Sequence, residues 1–277
     1  MMDKALNIDE LKLETKPIQG FPAGTRVHTD KGLVPIQEVK VGDMVLSKPE
    51  SGEGKLCYKP VVRTVSYEDK EIWELTYFKV KANTDISKLD KGKLLQLSKK
   101  GQMITIIATP NHPFWVKGIG WTRLDELQNR QIIQTKATDI EILVFSVQPR
   151  YKTDKPFIAA SYSPRNIFDA DKKGFDIDNV DYYFFVEQHP DGHRKYIGSG
   201  DTPSPLILNE LDAINVLSEA FSTTVFNFEV ADYHTYFIFN DGLWVHNISC
   251  ANVSPNSLPK DLVTRSGETR PTQDTIF

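Results

Sequence analysis

Near its C-terminal end the chain reads GLWVHN (242–247), an apolar run closed by His246 and Asn247 and followed by polar sequence with no core pattern. An asparagine has a chemistry of its own. Its side-chain amide nitrogen can attack its own backbone carbonyl, closing a succinimide, breaking the bond to the next residue and freeing that residue's amine. The reaction is very slow unless the amide is held in attacking geometry, a donor stabilises the developing oxyanion and a base takes the proton. Here the bond would be Asn247-Ile248, with His246 as donor and His234, in ADYHTYFIFNDGLWVHN, as base from a neighbouring strand. A second pair, Thr109 and His112 in ATPNHPFWV, closes another apolar run, and the prolines flanking Asn111-His112 restrict the backbone there. A fixed histidine is what protonation of a leaving amide nitrogen requires. Taken alone, each histidine is better explained as a satisfied surface imidazole, and TPNHP as a capped turn. Their joint presence is what favours chemistry.

These segments together resemble the Hint (hedgehog/intein) superfamily, and within it the pretoxin Hint domains of bacterial polymorphic toxins. GFPAGTRVHTDKGLVPIQEVKVGDMVLS resembles the first splicing block, TPNHPFWV the second, VFNFEVADYHTYFI the penultimate and NDGLWVHN the terminal one, in the family's order. The resemblance covers 20–247 and implies a mainly β fold, an intein-type horseshoe of hairpins, carrying a small α/β insertion over 151–222. It implies that Thr109 and His112 activate an amino-terminal bond and that His234, His246 and Asn247 carry cleavage after Asn247. Gly20 stands where the family has a Cys or Ser nucleophile, so the acyl shift is expected to be lost. Ile248 offers no hydroxyl or thiol acceptor, so ligation is expected to be lost as well. Asn227 occupies the place of a coupling Asp, keeping hydrogen-bonding capacity without the charge. The implied partners are a C-terminal toxin or other cargo released in cis and an upstream delivery module. Two other readings stay open: a processing-dead adaptor between the two, and a nucleophile position made glycine by engineering.

The composition is that of a globular protein. The chain has 277 residues, 40% hydrophobic and 25% charged, with a formal charge of -4 and no consecutive basic block, so nucleic acid is not an expected partner. The longest apolar runs are too short to span a bilayer, and the first residues lack the apolar centre of a secretory signal, so the chain reads as soluble with no membrane partner. The resemblance adds passage from a bacterial cytoplasm as part of a larger protein; two cysteines, Cys57 and Cys250, leave the compartment open. No cofactor or metal is expected. Cys57 reads as a strand thiol with no activating base. DADKKGFDIDNV fails as a calcium loop because Lys173 and Val180 stand at ligand positions. The tryptophans, among them Trp73, Trp115 and Trp121, read as core.

The elements that must position these residues are short strands. From residue 23 to 150, β-rich runs are punctuated by DKG, VGD and PESGEG, the signature of hairpins, with TRLDELQ (122–128) as the one helical turn of that half. In the insertion, YYFFVEQHPDGHRKYIG predicts a hairpin turning at Pro190 to Gly192, and LILNELDAINVLSEAF (206–221) predicts a helix from its spacing of Leu and Ile. Three strands then close the domain. Residues 1–19 read as a lead, and 248–277, rich in Ser, Thr, Pro and Asn, as a linker toward an absent cargo.

Overall fold

The computed structural model describes residues 18–163, 182–192, 194–200 and 216–247. The fold is mainly β, as expected, and every strand pairing in it is antiparallel. Fourteen strands form one large sheet and five a smaller one. The large sheet draws on strands on both sides of the smaller one in sequence. Ser222–Val230 pairs with Cys57–Glu71 and also with the short strand Phe21–Pro22, in the register Phe21 opposite Phe226. Thr235–Ile238 and Leu243–His246 form a hairpin that joins Arg26–Thr29 on one side and Pro113–Val116 on the other. Strand segments far apart in sequence thus meet in one core, and the closing hairpin strands Thr235–Ile238 and Leu243–His246 are buried on both faces. Phe21, Val27, Phe114, Phe228, Tyr236 and Val245 share one buried cluster.

The smaller sheet is formed by Tyr151–Thr153, Ile158–Ser163, Tyr182–Gln188, Arg194–Gly200 and Val216–Ala220. Its central hairpin turns where expected, through Pro190 to Gly192. The expected helix over 206–221 is corrected in its described part: Val216–Ala220 is a strand, paired with Tyr151–Thr153. An available partner edge overrides helical spacing there; residues 206–215 lie outside the described ones, as do the rejected calcium loop and 248–277.

A second correction concerns the first half. TRLDELQ does contain a 3-10 turn, Leu124–Glu126, but the α-helix among the described residues is Lys91–Lys99. Asp90 caps it by accepting from the Lys93 N–H at 2.9 Å, and Leu94 packs with Phe78 and Phe145. Only one side of KGKLLQLSK is apolar, so composition conceals the helix while the Asp90 cap marks its start. No described helix is long and apolar enough to cross a membrane.

Candidate active site

Gly20, Thr109 and Asn227 meet at one place in the large sheet. The Gly20 N–H donates to Thr109 Oγ1 at 3.1 Å, and the Thr109 N–H donates back to the Gly20 carbonyl at 3.0 Å. On the other side, Asn227 Nδ2 donates to the Gln19 carbonyl at 3.2 Å. That oxygen belongs to the peptide bond a nucleophile at position 20 would attack. Asn227 is itself fixed, its Oδ1 accepting from the Phe228 N–H at 2.8 Å and from the Tyr236 hydroxyl at 3.0 Å. Burial holds the Tyr236 phenol well above its ordinary pKa, so it remains a donor. Gly20 itself is tightly enclosed. A Cβ there would lie 2.9 Å from the Phe226 carbonyl oxygen and 3.0 Å from Val225 Cγ2.

His112 sits beside this junction, fully buried, its ring centroid 4.1 Å from that of Phe21. Among the described residues neither ring nitrogen has a hydrogen-bond partner of ordinary geometry. Burial, reinforced by the nearby His246 ring, lowers its pKa to about 3; the His246 main chain is the one polar group that pulls the other way. His112 is therefore neutral at ordinary pH and can offer a neutral N–H but no spare proton. His112 and His246 are brought to one place by the pairing of the strands Pro113–Val116 and Leu243–His246.

At the carboxy-terminal junction, His246 Nδ1 lies 2.6 Å from the Asn247 carbonyl oxygen, the atom on which negative charge would develop. Asn247 is buried. Its side-chain amide is satisfied when its nitrogen donates to the His234 carbonyl at 2.9 Å and its oxygen accepts from the Val230 N–H at 2.5 Å. The Asn247 main-chain N–H donates to the same His234 carbonyl at 2.8 Å. His234 therefore meets Asn247 through its backbone. Its φ of 54° is a left-handed conformation, uncommon for a residue with a side chain, and it turns the carbonyl toward Asn247. Its Nδ1 is buried without a partner among the described residues. The contact that His234, expected as a base through its ring, makes with the Asn247 amide runs through its main-chain carbonyl.

Sequence reasoning missed Glu50, whose Oε2 lies 2.9 Å from His246 Nε2. PESGEG reads only as a turn, and nothing in it separates Glu50 from Glu53. It also missed Val230 and Tyr236, which act through a main-chain N–H and through a hydroxyl buried in an apolar strand. Cys57 is the free thiol among the described residues, partly buried at the start of a strand. No group of three or more His, Cys, Asp or Glu among the described residues is arranged to hold a metal ion.

No protein-family model matches the chain, and no curated protein does. Among solved structures, the chain is similar to a bacterial intein-like domain from Clostridium thermocellum, at 19% identity and a TM-score of 0.43, over 83% of this chain and 99% of that one. It is similar to a DnaB intein from Synechocystis sp. PCC 6803 at 15% identity and a TM-score of 0.39, over 84% of this chain and 100% of that one. Similarity to the gp41-1 intein is 14%, with a TM-score of 0.38, over 83% and 99% of the two chains.

Proposed function

We propose that this chain is an intein-like, Hint-type autoprocessing domain that cleaves the Asn247-Ile248 bond by asparagine cyclisation and so releases whatever follows it, a toxin or other cargo. The observation that carries the reading is the contact of His246 Nδ1 with the Asn247 carbonyl, together with the buried, doubly anchored Asn247 amide. In the proposed step Asn247 Nδ2 attacks its own carbonyl carbon and loses a proton. Charge collects on the carbonyl oxygen against His246. The C–N bond to Ile248 then breaks and the leaving nitrogen takes up a proton, giving a C-terminal succinimide and a free amine, with no net gain or loss of atoms. Ligation has no place in the scheme, because Gly20 carries no nucleophile and Ile248 no acceptor.

The test is mass measurement of the purified chain held for days between about pH 5 and 8, where imidazoles titrate. Residues 1–247 ending in succinimide or its hydrolysis product are expected, along with 248–277. Asn247→Ala should abolish both, and His246→Ala should slow them by on the order of 10²-fold, the usual worth of an oxyanion donor. Fragments that persist in Asn247→Ala would mean an outside protease.

The second reading, a processing-dead adaptor between a delivery module and a cargo, is favoured by the closure of the fold around Gly20, which leaves no room for a nucleophile's Cβ. A parent chain that stays whole would establish it.

A further inference from the structure

The loop between the strands Met44–Ser47 and Cys57–Glu71 reaches across the sheet to the carboxy-terminal junction. It is fixed there by a cluster of three tryptophans, Trp115, Trp121 and Trp244, whose ring centroids lie 4.7 to 5.0 Å apart. Lys48 Nζ sits 5.1 Å over the Trp244 ring. Gly52, at a φ of 84°, lies so close to Trp115 that a Cβ would be 2.8 Å from its ring. The Trp121 indole N–H donates to the Glu50 carbonyl at 3.1 Å, and the same indole meets the His246 ring edge-on at 5.1 Å. The loop KPESGEGKL leaves its one aliphatic side chain, Leu56, exposed and has no core of its own, so these contacts are what give Glu50 a defined place.

That place matters because of what His246 touches. Its Nδ1 faces the Asn247 carbonyl oxygen and its Nε2 faces a Glu50 carboxylate oxygen. Both are acceptors, so making both bonds requires a hydrogen on each ring nitrogen. Resting on the proposed cyclisation, we infer that Glu50 is a positioning residue that holds His246 in its doubly protonated form, aimed at the carbonyl where charge develops, with Trp121 holding Glu50 in turn. A cationic donor stabilises an oxyanion more than a neutral one. The role is separable from folding, since about half of the Glu50 side chain is exposed.

Two measurements test it. In an Asn247→Ala background, which keeps the carbonyl but cannot cyclise, the imidazole nitrogens of His246 are observed by 15N NMR at neutral pH. Two protonated-type signals are expected with Glu50, and the neutral pattern of one protonated and one bare nitrogen after Glu50→Gln. Glutamine keeps an acceptor oxygen, so this variant isolates the charge. In the chain carrying Asn247, Glu50→Gln should slow scission at least 10-fold, Glu50→Asp should recover part of the rate, and Trp121→Phe should slow it with the thermal midpoint unchanged for the Glu50 variants. An unaltered 15N pattern in Glu50→Gln overturns the inference, whether or not the chain cleaves. A parent that does not cleave but shows the nitrogen change overturns only the cyclisation reading, and leaves Glu50 as the group that sets the state of His246.

Discussion

His112 shows how one buried imidazole couples site and stability. Its lining is aromatic, with Phe21 and Phe114 against the ring, and protonation would place a charge where only the His246 main chain offsets the loss of water. The folded pKa of about 3 lies below the ordinary histidine value of 6.5. Between these two values the unfolded chain binds a proton that the folded chain refuses. Stability from this group is therefore full above pH 6.5 and falls as the pH drops toward 3, by up to about 1.4 kcal/mol per pH unit. His28, also lowered by burial and by Lys136, acts in the same direction. We expect His112→Phe to flatten the acid side of the stability profile: urea midpoints taken between pH 6.5 and 4 should fall less steeply than in the parent. Equal slopes in the two proteins would show that the imidazole reaches water. The same argument explains why a histidine in TPNHP could be recognised from sequence as restrained, while its neutrality could not. Restraint comes from the adjacent prolines, whereas neutrality comes from Phe21 and His246, 91 residues before and 134 after it in the numbering.

At the level of elements, strands are legible where a short apolar run is bounded by turn residues, as in Arg26–Thr29, Met103–Ala108 and Leu243–His246. What was not legible was decided by partners. Val216–Ala220 has helical spacing but lies against Tyr151–Thr153, and Lys91–Lys99 has little apolar content but a capped first turn and a pocket for Leu94. The site divides in the same way. His246 and Asn247 are marked by type and order, but Glu50 reaches them only because a tryptophan cluster carries its loop there. Gly20 is a case in which absence of a side chain was read chemically and turns out to be structural as well. Its neighbours Phe21 and Pro22 pair with Phe226 and Val225, the residues a Cβ at position 20 would strike. Gly20→Ala should therefore destabilise the fold by about 1–3 kcal/mol, the usual cost of overpacking, measured as a lower urea midpoint with unchanged slope. Unchanged stability would mean that this strand edge yields easily. In that event Gly20→Cys should place a thiol beside the Gln19 carbonyl that Asn227 already contacts.

The two sheets are joined by a buried ionic cluster, by a tip contact and by an apolar cluster of Ile72, Ile107, Ala159, Phe221 and Val225. Glu74, in the strand Trp73–Lys81 of the large sheet, accepts from Gln148 Nε2 at 2.5 Å and from Ser161 Oγ, on the small sheet, at 2.6 Å. Arg150, buried at the passage from one sheet to the other, donates to it from Nε at 3.3 Å. The second contact is the hairpin tip, where Gly192 packs on the backbone of Ala23 and Gly24, three and four residues after Gly20. The small sheet thus rests on the segment that follows Gly20, and part of its attachment runs through the Glu74 carboxylate. An ion pair removed from water gains little net stability, yet deleting one partner is costly because the other charge is left buried. Glu74→Ala should therefore lower stability by about 3–5 kcal/mol, whereas Ser161→Ala should cost roughly 1.5–3 kcal/mol, the worth of a hydrogen bond to a charged group. Adding Arg150→Met to Glu74→Ala should restore most of the loss, since the stranded charge is then gone. If it does, urea unfolding of the double variant should approach the parent's midpoint, and hydrogen exchange should show whether Ile158–Ser163 stays protected. If the double variant is as unstable as Glu74→Ala alone, the cluster stabilises the joint through the carboxylate's bonds to Gln148 and Ser161, and the charge of Arg150 is not what the fold must neutralise.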